Sequence, residues 1–252
     1  MRMRDILIPG LLAVLLVGCA TSGDGPETDA ARLYQLGKEA LREGYYETAI
    51  KHFEDLAARY PFGDDAAQAQ LDLAYAYYRY DQPDQAISTA EHFIKTYPRH
   101  PDVDYAYYLR GLANFGQTSA ILDDIARIDP SRRDPRAALE SFQHFAELVK
   151  RYPDSRYAPD AVQRMVHLKN YLAKHEMYVA DYYMRRGAWV AAANRARYVI
   201  ETFPQTGSVP RALAVMAEAY DRLGLDDLAA EARRVLELNT PAAAGHAGGQ
   251  DG

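Results

Sequence analysis

One cysteine, one tryptophan and seven phenylalanines stand in a chain of 252 residues that holds 20 tyrosines. The lone Cys19 excludes an internal disulfide, and no second thiol exists to complete a cysteine metal site. A helix needs about 20 apolar residues to cross a bilayer. The apolar run from Ile6 to Val17 is twelve residues long and is interrupted by Pro9 and Gly10. There is no basic excess: the formal net charge is −6, which argues against a nucleic-acid partner. Catalytic signatures are missing too. The sequence has neither a phosphate-cradling glycine loop nor a G-x-S-x-G elbow, and its seven histidines are scattered. His175-Glu176 opens like a zinc-protease helix, but the position of the second histidine is Val179. Asp64-Asp65, Asp123-Asp124 and Asp226-Asp227 are adjacent carboxylates at expected helix starts or turns, where solvated caps are the ordinary role. No residue set carries an enzyme, a cofactor or a metal.

What is present begins at the N-terminus. Arg2 and Arg4 precede the short apolar run, and the run ends Leu16-Val17-Gly18-Cys19. Residues 1–18 read as a secretory signal peptide. The ending resembles the bacterial lipobox. That resemblance implies that Cys19 becomes the first mature residue, with a diacylglyceryl group on its sulfur and a third acyl chain on its amine. Two or more chains hold a protein to a bilayer stably, whereas one does not. Ala20 follows the cysteine, which resembles the outer-membrane sorting pattern. Residues 19–29, with Gly23, Gly25 and Pro26, read as a flexible tether.

The rest is periodic. An aromatic residue followed by proline recurs at Tyr60-Pro61, Tyr97-Pro98, Tyr152-Pro153 and Phe203-Pro204, with a weaker copy at Thr240-Pro241. Twelve residues before each proline stand Ala49, Ala86, Ser141, Ala192 and Ala229, all small. Seventeen before stand Gly44, Asp81, Arg136, Gly187 and Gly224, mostly residues that end helices in a left-handed turn. Twenty-four before stand Gly37, Ala74, Ala180 and Ala217, while the third copy loses register at an insertion. This pattern resembles the tetratricopeptide repeat. The expected fold is all-α, a superhelical solenoid of about five tetratricopeptide-like helix pairs. The repeat domain runs over 30–240, with copies near 30–61, 67–98, 103–153, 158–204 and 208–241. Residues 114–133 read as an insertion between the helices of the third pair, with Ile121-Leu122 and Ile125 marking a short helix. Asp134-Pro135 opens a helix over 136–151, with Leu139, Phe142, Phe145, Leu148 and Val149 as its apolar stripe. A long helical segment is expected before the fourth repeat, continuing from Val162 through 186. Residues 241–252 are expected to be disordered.

In this repeat type the first helix of each pair lines the inner face. By the template that face receives Tyr34, Lys38, Leu41 and Arg42 from the first copy, and Leu71, Tyr75, Tyr78 and Arg79 from the second. Aromatic walls with cationic heads suit an extended peptide that ends in an aromatic residue and a carboxylate.

A lipobox, five repeats and the runs YPFG (60–63), QLDLAYAYY (70–78), YYLRGLANF (107–115), DPSRRDP (129–135), LAKHE (172–176) and RRGAWVAAANR (185–195) together resemble the BamD family of outer-membrane β-barrel assembly lipoproteins. The resemblance runs to about residue 240. It implies a non-catalytic scaffold, lipid-anchored on the periplasmic side of the outer membrane. Its implied partners are the barrel-forming subunit with POTRA domains, companion lipoproteins, unfolded outer-membrane precursors received at the N-terminal repeats, and the bilayer through acyl chains. The family's POTRA-contacting arginine falls on Arg195. Another envelope lipoprotein of the same architecture, such as a secretin pilotin, is the alternative.

Overall fold

The computed structural model describes residues 26–62, 65–123 and 134–239. Among the described residues there are ten α-helices and no strand. They are α1 (Pro26–Glu43), α2 (Tyr46–Arg59), α3 (Ala66–Arg79), α4 (Pro83–Thr96), α5 (Val103–Asp123), α6 (Arg136–Arg151), α7 (Ala158–Arg185), α8 (Trp189–Thr202), α9 (Val209–Arg222) and α10 (Asp226–Asn239). Residues 1–18, Cys19 and the tail from 240 lie outside the described set. The tether reading of 19–29 is corrected at its end, since residues 26–29 form the first turn of α1.

The repeat template has a physical cause at each position. α1, α3, α7 and α9 end on a left-handed residue: Gly44 (φ 80°), Asp81 (58°), Gly187 (70°) and Gly224 (71°). In each the next amide reaches back five residues: Tyr45 to Ala40 at 2.9 Å, Gln82 to Tyr77 at 2.9 Å, Ala188 to Tyr183 at 3.0 Å and Leu225 to Tyr220 at 3.0 Å. That bond satisfies carbonyls the helix end would otherwise orphan. The second helices close differently. The aromatic before each proline donates its amide to the carbonyl four residues back, as Tyr60 does to Leu56 and Tyr152 to Leu148, both at 2.8 Å. Proline then cannot continue the helix.

Close crossing explains the small residues. Ala49, Ala86, Ser141, Ala192 and Ala229 are all 0% exposed. The buried Ser141 hydroxyl donates to the Gly111 carbonyl at 2.9 Å. Gly37 and Gly111 leave room for Phe53 and Phe145: a Cβ there would lie 2.5 Å and 2.4 Å from the rings. Gly111 is thus the third copy's equivalent of Gly37, displaced in sequence by the insertion.

The insertion itself is a correction. Residues 114–123 continue α5 as one helix of 21 residues, rather than forming a connection with a separate short helix. Residues 124–133, with Ile125, lie outside the described set. The α6 stripe is rotated: Ala138, Ser141, Phe145 and Leu148 are buried, whereas Leu139 is 45% exposed. Pro135 sits at the helix cap, one position earlier than expected, and the Asp134 carboxylate accepts the Arg136 amide at 3.0 Å. α7 runs unbroken for 28 residues.

Each helix packs mainly on its neighbours in sequence. In addition α1 touches α3, α3 touches α5 and α7 touches α9, whereas the second helices make no comparable contact with one another. The first helices therefore crowd toward one side, the inner face of a curved stack. One continuous core runs from Leu71 to Val215, and a smaller one beneath α1 to α3 is built on Ile50, Phe53, Leu56 and Leu73.

Candidate functional site

The inner face of α1 and α3 centres on a carboxylate. Asp72 is 9% exposed. It accepts the Tyr34 hydroxyl at 3.2 Å and the Lys38 ammonium at 3.0 Å on one oxygen, and the Gln68 amide at 3.3 Å on the other. A buried carboxylate requires such partners, because desolvating an unpaired charge is costly. Burial, and then the Asp72 charge, push the Tyr34 phenol well above its ordinary value. Two of the expected groove residues, Tyr34 and Lys38, are therefore tied into an internal network, and the Lys38 charge is compensated.

Further along α3, the Arg79 guanidinium donates to the hydroxyl of Tyr75 at 2.6 Å. The same guanidinium lies over the rings of Tyr46, at 4.8 Å, and Tyr75, at 5.7 Å. Tyr78 packs on the core and stands 6.4 Å from Tyr75, ring to ring. Arg42 and Arg79 are exposed cations at this end of the face. Leu71 is corrected: at 2% exposure it belongs to the continuous core and offers no groove surface.

The aromatic face extends past the second repeat. Tyr105 and Tyr108 of α5 pack on Tyr157 before α7, at 5.1 Å and 4.9 Å, the second pair nearly parallel at 17°. Tyr108 donates to Asp160, which also accepts Arg164 at 2.6 Å. Burial and the Asp160 bond push the Tyr108 phenol up to about 12. Burial also raises Tyr105. Sequence reading missed Asp72, Tyr46, Tyr105, Tyr108 and Tyr157. A visible signal existed for Asp72, the single carboxylate of α3, flanked by Leu71 and Leu73.

Arg195 sits on α8, half exposed, and donates to Glu176 of α7 at 3.1 Å. Its expected partner was a carboxylate on another protein; a carboxylate of its own chain holds it here. Asp226 and Asp227 lie exposed in the first turn of α10. Among the described residues, no group of three or more His, Cys, Asp or Glu side chains is placed to hold a metal ion. No described helix is long and apolar enough to cross a membrane.

This arrangement, a helical stack with a tyrosine-rich inner face, coincides with a family match over residues 26–236 to YfiO, described as outer membrane lipoprotein. The chain belongs to that family. Its relatives include outer membrane protein assembly factor BamD of Neisseria meningitidis serogroup A, 45% identical over 246 residues, or 95% of this chain and 92% of the relative. BamD of Vibrio cholerae is 41% identical over 239 residues, covering 94% and 99% of the two chains. BamD of Haemophilus influenzae is 34% identical over 240 residues, covering 94% and 92%. Family membership thus extends across the whole stack of YfiO-type repeats rather than over one pair.

Proposed function

We propose that this protein is a non-catalytic scaffold subunit of an outer-membrane β-barrel assembly complex, anchored through acyl chains on Cys19 on the periplasmic side. The names of its relatives, assembly factors of outer membrane proteins, support this reading. The observation that carries the binding role is the inner face, where Arg79 lies over Tyr46 and Tyr75 and the tyrosines continue through Tyr78, Tyr105 and Tyr108. Phenol faces pack on apolar and aromatic side chains, and the guanidinium takes a carboxylate. An unfolded barrel precursor with alternating aromatic side chains and a free carboxylate has that chemistry. Replacing Tyr75 and Arg79 by Ala should weaken binding of a labelled precursor peptide at least tenfold while the circular dichroism stays unchanged. Equal affinity would remove the groove from the function.

Docking on a POTRA domain is assigned to the α7–α8 surface around Arg195. Arg195 and Glu176 are then an internal pair that the partner's carboxylate exchanges or joins. Arg195→Glu should reduce co-purification of the barrel subunit, and Glu176→Gln, which frees Arg195, should not. Loss with both variants would mean that the internal pair, rather than a contact across the interface, matters. Tagged protein purified from membranes should bring down a large β-barrel protein with POTRA domains and companion lipoproteins. Recovery of a secretin instead would favour the pilotin reading.

A further inference from the structure

The loop after α2 carries the most exposed large apolar side chain of the described residues. Phe62 is 96% exposed, immediately after Pro61. Nothing in the repeat requires it. The residue after the helix-ending proline is Arg99 in the second copy, Asp154 in the third and Gln205 in the fourth. A fully solvated phenyl ring at a position its own repeats fill with polar residues indicates an external apolar partner.

Where that ring sits follows from helix register. α1 and α2 are antiparallel across the Gly44 turn, and Phe53 packs against both Tyr34 and Gly37. Continuing that register to the start of α1 places residue 26 at the end of the pair where residues 61 and 62 follow α2. The chain thus leaves α1 toward Cys19 at the end of the stack that carries Phe62. Six residues, or seven Cα-to-Cα steps, separate Pro26 from Cys19, and fully extended they reach at most about 25 Å. The basic last turns of α2 and α4, with Arg59 and Lys95, point to the same end, as does exposed Arg99. Lys95 and Arg99 have no ion pair among the described residues.

We propose that the Phe62 loop is a second membrane contact: the ring enters the interface of the bilayer that holds the Cys19 acyl chains, with Lys95 and Arg99 facing lipid phosphates. An aromatic ring at the headgroup boundary, flanked by cations, is the ordinary composition of an interfacial anchor. The contact fixes the orientation of the stack, with the loops that follow the second helices toward the membrane and the glycine turns away from it. The proposal rests on the Cys19 anchor.

The test uses the acylated full-length chain with Phe62→Trp in a Trp189→Phe background, on vesicles of phosphatidylethanolamine and phosphatidylglycerol with and without brominated acyl chains. Trp189 begins α8, at the opposite end of the stack, and the parent chain therefore supplies the control. Emission from F62W should shift to the blue on vesicles and be quenched by brominated lipid, while Trp189 is not quenched. If Trp189→Phe disturbs the fold, F62W in the parent chain gives the same reading after subtraction of the Trp189 signal. A vesicle-bound chain whose F62W emission is no more quenched than Trp189 overturns the loop contact and leaves the anchor standing. F62W emission that answers to a barrel peptide but not to brominated lipid also overturns it, in favour of a peptide occupant. An acylated chain that stays in solution overturns both the loop contact and the anchor.

Discussion

Two glycines and two phenylalanines show how single side chains set this stack. Phe53 and Phe145 fill the space that Gly37 and Gly111 leave, and both rings are fully buried. Gly111→Ala forces a methyl into the Phe145 ring and should cost roughly 1–3 kcal/mol, read as a lower urea midpoint; Phe145→Leu in the same chain should recover part of the loss. The tyrosines set the alkaline limit. Burial raises Tyr34, Tyr77, Tyr105 and Tyr108 above the ordinary 10.0, Tyr108 to about 12. The folded state holds these protons after the unfolded chain has released them. Their contribution is therefore complete below pH 10 and declines as pH rises toward 12. Urea midpoints should fall across that window, and Tyr108→Phe should flatten the decline. The small and turn positions of the template were legible because their partners lie within one repeat. The ties of Lys38 to Asp72 and Arg195 to Glu176 were not, since they span 34 and 19 residues and depend on how helices face each other. The same blindness made Leu71 a groove residue when the α3 face it occupies is the core side.

The helix pairs differ most at their ends. Three of the four left-handed turn residues are glycine, and the fourth, Asp81, bears a side chain at φ 58°. That conformation costs an L residue on the order of 1–2 kcal/mol, partly offset when the residue is aspartate. Asp81→Gly should raise the urea midpoint by up to about 1 kcal/mol of stability, and Gly187→Ala should lower it by a similar amount. The all-α pairing followed from spacing alone, because caps, prolines and small crossings all act locally. The continuation of α5 through Asp123 did not, since 114–123 carries Gly116 inside it and shows no clear apolar stripe.

At the scale of the whole molecule, stability is distributed as nearest-neighbour contacts along the stack. The core beneath α1 to α3 is small and separate, while the continuous one spans α3 to α9. Phe53→Ala should therefore speed amide exchange in α1 and α2 and leave α6 to α8 protected, whereas Phe145→Ala should raise exchange throughout the middle of the chain. Hydrogen exchange by mass spectrometry separates the two patterns. A single cooperative loss with either variant would argue for one indivisible unit.

The contact between α5 and α7 is of another kind. α5 meets the start of α7 through Tyr105 and Tyr108 against Tyr157, the Tyr108–Asp160 hydrogen bond and the Phe115–His167 ring contact, rather than by close backbone approach, while α6 packs tightly on α7. Flat rings can slide past one another with little loss of buried area; interlocked small residues cannot. In mechanical terms α6 and α7 are the pin of a joint and the tyrosine stack is its bearing. Bending of the solenoid should concentrate at that point, opening or closing the inner face between the N-terminal pairs and the C-terminal ones without disturbing either half.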